Sequence, residues 1–321
     1  MAWQNIPTNP YWQYDDNPPN PGGAQTALWQ TSTNGIRTSV RGDEIYVNCR
    51  HRFLHPTQAS IPSEINKTFW SSNFSAEAQN YFDRLTLAGD TTYVAYKQPL
   101  ANYIDGLVAL GGAYWNTMVS ACIYVGVGIQ GITVPLREGM EIDTNVSNNF
   151  VAGDLNQLTG LKGDGATKYI DTGSSENAVG KDNIAMSVYV TEFNNTSGYN
   201  IIGSTGGGKT GILLANVNGD GVAWCRNGSA TTFTPASEPN FCGVTRSSPS
   251  SFYLKNGNNT GIEITKASGL PAVASNVTVF AAAGGVTATD NRIAAYTFGP
   301  FVPFVPLKDL QETLLAQIAA I

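Results

Sequence analysis

The sequence is short of charge. Of its 321 residues 13% are Asp, Glu, Lys or Arg, about half the usual share of a soluble domain. Acids outnumber bases by 24 to 18, for a formal net charge of -6. That balance lacks the electrostatic footprint of a phosphate-backbone binder, so no nucleic-acid partner is expected. Histidine is scarcer still: His51 and His55 are the 2 copies, and no Ser-His-Asp arrangement follows from them. Cys49, Cys122, Cys225 and Cys242 stand far apart without a C-x-x-C spacing, whereas a zinc site needs clustered ligands. Buried thiols are expected instead, with the pairing of Cys225 and Cys242 on neighbouring strands left open. Long apolar runs are also missing. Leu107 to Trp115 and Met118 to Val127 are broken by glycine and fall below the ~18–20 residues of a membrane span, so no membrane insertion is expected. The opening Met1-Ala-Trp-Gln-Asn-Ile-Pro has neither a basic n-region nor an apolar h-region, and no signal peptide is read there.

What is present is a globular share of hydrophobic residues, 42%, with Asn, Ser, Thr, Gly and Tyr carrying the polar surface. That palette favours strands and turns over salt-bridged helices. The organisation reads as three parts: an arm over 1–56, a small helical or mixed module over 57–155, and a β-sandwich over 156–321. Pro7, Pro10, Pro18, Pro19 and Pro21 hold the arm extended and exclude a helix or a central strand. Thirty residues of such a chain reach up to ~100 Å. Trp3, Tyr11, Trp12, Tyr14 and Trp29 supply large apolar contacts and are the candidate docking residues on another subunit. A short hairpin is expected over 35–52, with Gly42-Asp43 at its turn.

In the module, Ser75 reads as a helix cap before the apolar stripe Tyr81, Phe82 and Leu85. A second helix is expected from Thr91 or Thr92 to about Leu110, kinked at Pro99 or with Pro99 in its first turn. A strand is expected over 119–125. Beyond residue 160 the apolar period becomes two. Ile184, Met186, Val188 and Val190 alternate with Ala185, Ser187, Tyr189 and Thr191 as in a half-buried antiparallel strand. Similar segments follow at 199–202, 211–217, 222–226, 230–234, 241–246, 251–255, 262–265, 277–282 and 292–298. Asn218-Gly219, Asp220-Gly221, Asn227-Gly228 and Asn256-Gly257 stand between them as hairpin turns. Ten or so short strands with turns this close predict a mainly β chain built on an antiparallel sandwich. A closing helix over 307–318, apolar at Leu307, Leu310, Leu314, Leu315 and Ile318, should cap it.

Chemical motifs are sparse. Gly203-Ser-Thr-Gly-Gly-Gly-Lys-Thr210 fits the letters of a phosphate-binding loop. That mechanism needs a helix after the loop, and the turn at Asn218 leaves no room for one, so a hairpin tip with a solvated Lys209 is expected. Glu138, Glu141 and Asp143 form the one tight acidic cluster and fall in a loop before the sandwich, without the facing carboxylates of glycoside hydrolysis. Asp164, Asp171, Asp220 and Asp290 read as turn residues, without the spacing of a calcium loop. No catalytic residue, metal ligand or cofactor site is assigned. Trp224, Tyr253, Tyr169 and Tyr199 are the candidate sugar-stacking aromatics, each at a position that also suits the core.

Four segments carry a resemblance. They are Tyr81-Phe-Asp-Arg-Leu-Thr with Tyr103-Ile-Asp-Gly-Leu-Val-Ala-Leu-Gly-Gly-Ala-Tyr-Trp115 and Ala121-Cys-Ile-Tyr-Val; Leu161-Lys-Gly-Asp-Gly-Ala-Thr-Lys-Tyr-Ile-Asp-Thr-Gly173; Phe252-Tyr-Leu-Lys-Asn-Gly257; and Ala294-Ala-Tyr-Thr-Phe-Gly299 with the closing helix. Over 75–321 the chain resembles tailed-bacteriophage virion proteins with a concanavalin A-like, laminin G-like domain. The resemblance implies a jelly-roll sandwich in a noncatalytic tail fibre, adaptor or head decoration, assembled in the host cytoplasm and carried in the virion. It implies other virion proteins as partners, a homo-oligomer such as a trimer, and contact of the sandwich with host-surface glycans. A polysaccharide depolymerase on the same sandwich is the alternative, and a P-loop nucleotide binder the third reading. The apolar segment Gly299-Pro-Phe-Val-Pro-Phe-Val-Pro306 departs from the family pattern and reads as a subunit contact.

Overall fold

The computed structural model describes the backbone of residues 4–6, 9–14 and 52–53, and residues 74–140, 149–194, 199–204, 210–215, 220–234, 240–257, 261–269, 275–281 and 288–321. The chain divides between Phe74 and Ser75 into two compact units. In the first, β1 (Gln4–Ile6), β2 (Asn9–Tyr14) and β3 (Arg52–Phe53) form an antiparallel sheet with β2 in the middle. The expectation that this segment holds no central strand is therefore corrected. Asn5 pairs with Gln13 while Ile6 pairs with Asn9, so Pro10 falls in the irregularity between them, where its missing N–H breaks no ladder bond. Trp12 and Gln13 pair with Phe53 and Arg52 on the other side. Apart from Arg52, the hairpin expected over 35–52 lies outside the described residues.

The second unit opens with α1 (Ala76–Leu87), capped by the Ser75 hydroxyl, which accepts from the Ala78 N–H at 3.1 Å. The next helix is split. A 3-10 turn over Thr92–Tyr96 precedes α2 (Lys97–Ala109), so Pro99 sits in the first turn of α2, where its missing donor has no intrahelical role. Gly111, at φ +141°, ends that run, and a further short helix, α3 (Gly112–Thr117), leads into β4 (Ser120–Ile123). No periodic pattern announces a helix of six residues.

The strands then follow as β5 (Leu155–Asn156), β6 (Gly160–Lys162), β7 (Ile170–Ser175), β8 (Ile184–Glu192), β9 (Tyr199–Gly203), β10 (Gly211–Ala215), β11 (Gly221–Trp224) and β12 (Thr231–Phe233). After them come β13 (Asn240–Arg246), β14 (Ser251–Asn256), β15 (Ile262–Thr265), β16 (Asn276–Val279), β17 (Arg292–Gly299) and the closing α4 (Phe304–Ala319). Two antiparallel sheets form a sandwich. The larger runs β15-β14-β13-β8-β17-β6-β5 with β4 added to β17, and the smaller runs β12-β11-β10-β9-β16-β7. Thus β4, which the sequence places in the module before the sandwich, is hydrogen-bonded into it: Tyr296 pairs with Cys122.

Met186, Val188, Val244, Phe252, Leu254 and Phe298 from the larger sheet meet Ile201, Ile202, Ile212, Val277 and Val279 from the smaller. The outer face of the larger sheet is covered as well. Ala185, Ser187 and Tyr189 are buried, which corrects the half-buried reading of β8. The reason is α4. Its Phe304 packs edge-on against Phe241 of β13 at 5.1 Å, its Glu312 accepts from the Tyr189 hydroxyl at 3.5 Å, and Leu310 lies against Gly106 of α2. The helix caps the sheet as expected, with Phe304, Leu307, Gln311, Leu314 and Ile318 buried.

Candidate functional site

On the outer face of the larger sheet, β13, β14 and the chain entering α4 enclose a groove of about 360 Å³. Alternation builds it. With Phe252 and Leu254 in the core, Tyr253 and Lys255 turn outward, and Thr245 and Gly243 stand beside them on β13 by register. Gly243 is required: a β-carbon there would lie 2.7 Å from the Phe304 ring. Its absence leaves room for that ring against β13, and residues 301–305 line the groove as its second wall. Gly261, held at φ +95°, lines the far end, where the left-handed backbone disfavours any side chain. Tyr253 is 42% exposed, Phe301 38% and Val305 48%, whereas Lys255 is 3% exposed. Aromatic and aliphatic walls thus offer their surfaces over a floor of Thr245, Ser247 and Lys255. Burial, reinforced by Lys308, holds the Lys255 ammonium below its ordinary pKa, with Asp309 and Glu312 pulling it back.

A second polar cluster is buried among the segments that follow β7, β9 and β11. Glu176 and Arg226 are both fully buried. The Glu176 carboxylate accepts from the Ser204 hydroxyl at 2.6 Å and the Thr210 N–H at 2.9 Å, and its Oε1 stands 3.7 Å from Arg226 Nη1. Arg226 also donates to the Glu176 and Val179 carbonyls and to Asn177 Oδ1. Burial raises the Glu176 carboxyl above its ordinary value, against the pull of Ser204 and Arg226. Arg246, likewise buried, donates to the carbonyls of Cys225, Ser248, Ser251 and Lys266. These contacts tie the 3-10 turn at Glu176–Ala178 and the residues after β11 to the ends of β13 and β14 and the residue after β15. The cluster is a brace, and its polar atoms face protein.

Several sequence readings are now placed. The Gly203–Thr210 motif joins two antiparallel neighbours, with Gly211 opposite Gly203, so a strand follows the loop where nucleotide binding needs a helix; Lys209 is outside the described residues. Cys225 follows β11 of the smaller sheet while Cys242 lies on β13 of the larger, and both are free and buried. They do not face each other on neighbouring strands, and the open question of their pairing is closed. Glu138 is exposed and accepts from Asn80 at 3.1 Å; Glu141, Asp143, His51 and His55 are outside the described residues. Asp164 is a turn residue: despite the cost of burial, the N–H groups of Lys168, Thr167 and Ala166 and the Thr167 hydroxyl hold its carboxyl well below the ordinary range. Asp171, read as a turn residue, instead lies on β7, paired with Thr278, and accepts from the Gly173 N–H at 2.8 Å.

Of the sugar-stacking candidates, Tyr253 stands on the groove wall, Trp224 and Tyr169 are half-buried, and the Tyr199 side chain is outside the described residues. Tyr11, Trp12 and Tyr14 lie on β2, while Trp3 and Trp29 are outside the described residues. Sequence reasoning did not bring Phe301, Val305, Lys255, Thr245 and Ser247 to one place, although it singled out both Tyr253 and the Pro-rich segment. Among the described residues no group of acids, histidines and cysteines could hold a metal ion, and no helix is long and apolar enough to cross a membrane.

No protein-family model matches the sequence, and no curated protein matches it either. Solved structures to which part of this chain is similar include domain 4 of AbnA, a GH43 extracellular arabinanase from Geobacillus stearothermophilus in complex with arabinotriose. It is 8% identical, with a TM-score of 0.32 over 45% of this chain and 73% of that one. A variant of a GH54 α-L-arabinofuranosidase soaked with 4-nitrophenyl α-L-arabinofuranoside is 9% identical, with a TM-score of 0.34 over 49% of this chain and 41% of that one. A tryptophan-to-alanine variant of HCR/D is 11% identical, with a TM-score of 0.35 over 64% and 53%. The last two are spanned over about two fifths and half of their length. Likenesses at this level carry no argument about function.

Proposed function

We propose that the protein is a noncatalytic recognition and assembly component whose sandwich binds a glycan in the groove between Tyr253 and Phe301. One observation carries this reading: two exposed aromatic rings flank a floor of hydroxyls and an ammonium, the combination of apolar face and fixed polar groups that a sugar ring requires. The resemblance to phage virion proteins supports a virion setting, with the Pro/Trp-rich segment docking on a neighbouring virion subunit through Trp3, Tyr11, Trp12, Tyr14 and Trp29. A glycan array probed with the full chain tests the first part. Binding should fall about 3- to 10-fold in Tyr253→Ala, and an array without any bound glycan, or release of reducing ends from a bound polysaccharide, would overturn it. For the second part, deletion of residues 1–30 should abolish incorporation into particles while the second unit, Ser75–Ile321, stays folded; normal incorporation would refute docking.

A further inference from the structure

The groove is polar on one side only. Its floor carries the Thr245 and Ser247 hydroxyls, and the Tyr253 ring stands beside them. The second wall is hydrocarbon. Residues Phe301 to Val305 bring no side-chain donor or acceptor to the groove, and Phe301 and Val305 present exposed apolar surface to it. The backbone of that wall is also short of donors, since the Phe301 N–H is taken by Asn183 Oδ1 at 2.8 Å and Pro303 has none. Phe304 holds the wall in place through Phe241, and Val302 is fully buried.

We infer that the groove takes a methyl-bearing saccharide, a 6-deoxyhexose or an N-acetylhexosamine, with its ring on Tyr253, its hydroxyls over Thr245 and Ser247, and its methyl against Phe301 and Val305. This rests on the glycan reading above and narrows it to one ligand class. The physical reason is the one-sided polarity. A hydroxyl pressed against the second wall leaves water without gaining a side-chain partner, which is a net cost. A methyl at the same place leaves water favourably and gains contact with two apolar side chains. A fully hydroxylated hexose carries hydroxyls on every edge, so it cannot meet that wall without stranding one. A wholly apolar ligand fails on the other side, because it strips water from the floor hydroxyls. A sugar with one methyl and several hydroxyls satisfies both.

The test uses monosaccharides in pairs that differ by little more than the methyl: L-rhamnose with L-mannose, L-fucose with L-galactose, and N-acetylglucosamine with N-formylglucosamine. Dissociation constants for the full chain are measured by NMR titration, and saturation transfer reports which ligand protons touch the protein. In at least one pair the methyl-bearing member should bind about fourfold or more tightly, the ratio that burial of one methyl gives, and its methyl should receive the strongest saturation. The first two pairs and the third distinguish a deoxy sugar from an acetylated one. Val305→Thr keeps the shape of an exposed side chain and puts a hydroxyl on the second wall, so it should bring the ratio towards one. Equal binding within every pair, or tighter binding of the hydroxyl or formyl members, overturns the inference and leaves the glycan reading standing. A ratio unchanged in Val305→Thr overturns the placing of the methyl on that wall, and the inference with it. No binding by any of these sugars also overturns it, and if the glycan array fails as well the glycan reading falls too. The paired comparison on the unaltered chain decides the matter even where Val305→Thr does not fold.

Discussion

Arg226→Met isolates one half of a fully buried ion pair. The substitution keeps most of the side-chain volume and removes a guanidinium that donates to Asn177 Oδ1 at 2.8 Å and to the Val179 carbonyl at 3.0 Å, and that faces Glu176 Oε1 at 3.7 Å. It leaves Glu176, fully buried, as a carboxylate without its counter-charge. Breaking one side of a buried pair costs about 3–5 kcal/mol, so the urea midpoint at pH 7 should fall by that amount divided by the m-value. The pH dependence identifies the cause. Burial already raises the Glu176 carboxyl above the ordinary 4.5, and loss of Arg226 raises it further. A raised acid binds its proton more tightly when folded. Its favourable contribution is complete below the unfolded value and is lost as pH rises through the folded value. The deficit of the variant should therefore shrink from pH 7 to pH 5, and Glu176→Leu combined with Arg226→Met should return near the parent. A loss below about 1 kcal/mol, or a deficit that does not change between those pH values, would refute the reasoning.

Cys122, Cys225 and Cys242 are buried thiols pushed up to about 12 by burial, so peptide mapping after iodoacetamide at pH 8 should find them unmodified until denaturant is added. Asp90, 1% exposed, accepts from the Gly128 N–H at 2.7 Å and the Thr92 N–H at 2.8 Å. Asp90→Ala should cost about 2–4 kcal/mol by urea denaturation, because two donors lose a charged acceptor. Arg246→Lys should cost about 2–4 kcal/mol in the same assay although the charge is kept, since an ammonium cannot span the four carbonyls that the guanidinium joins.

The strands were legible because their signals are local. Asn227-Gly228 and Asn256-Gly257 mark real strand ends, and the alternation at Ile184–Val190 faces the core on the side it predicts. The hairpin reading of Gly203–Thr210 held for the same reason, since a strand, β10, begins at Gly211 opposite Gly203, where nucleotide binding needs a helix. What was missed depends on pairs far apart in sequence. The burial of Tyr189 follows from α4, whose Glu312 lies more than a hundred residues later. The strand β4 joins the sandwich through β17, across a gap no periodicity spans. Arg226, Arg246 and Glu176 leave no trace in a pattern of apolar residues, because a buried charge looks like a surface charge until its partners are placed. The Pro10 strand shows the converse: a local rule against central strands gives way where the ladder itself is irregular.

Scarcity of charge links the interior to the groove. With few partners of opposite sign, Arg246 is neutralised mainly by carbonyl dipoles: that of Cys225 after β11, that of Ser248 in the turn between β13 and β14, that of Ser251 at the start of β14, and that of Lys266 after β15. Those same strands carry Thr245, Tyr253 and Lys255 on their other face, and Ser247 lies in the turn. A guanidinium stacked 5.5 Å over the core ring of Phe252 thereby fixes the spacing of groups that point away from the core. A β-strand presents successive residues to opposite faces, so any shift of Phe252 or Ser251 in the brace moves Tyr253 in the groove. Loosening the brace by Arg246→Lys should for this reason weaken ligand binding in the groove as well as stability, without touching a groove residue.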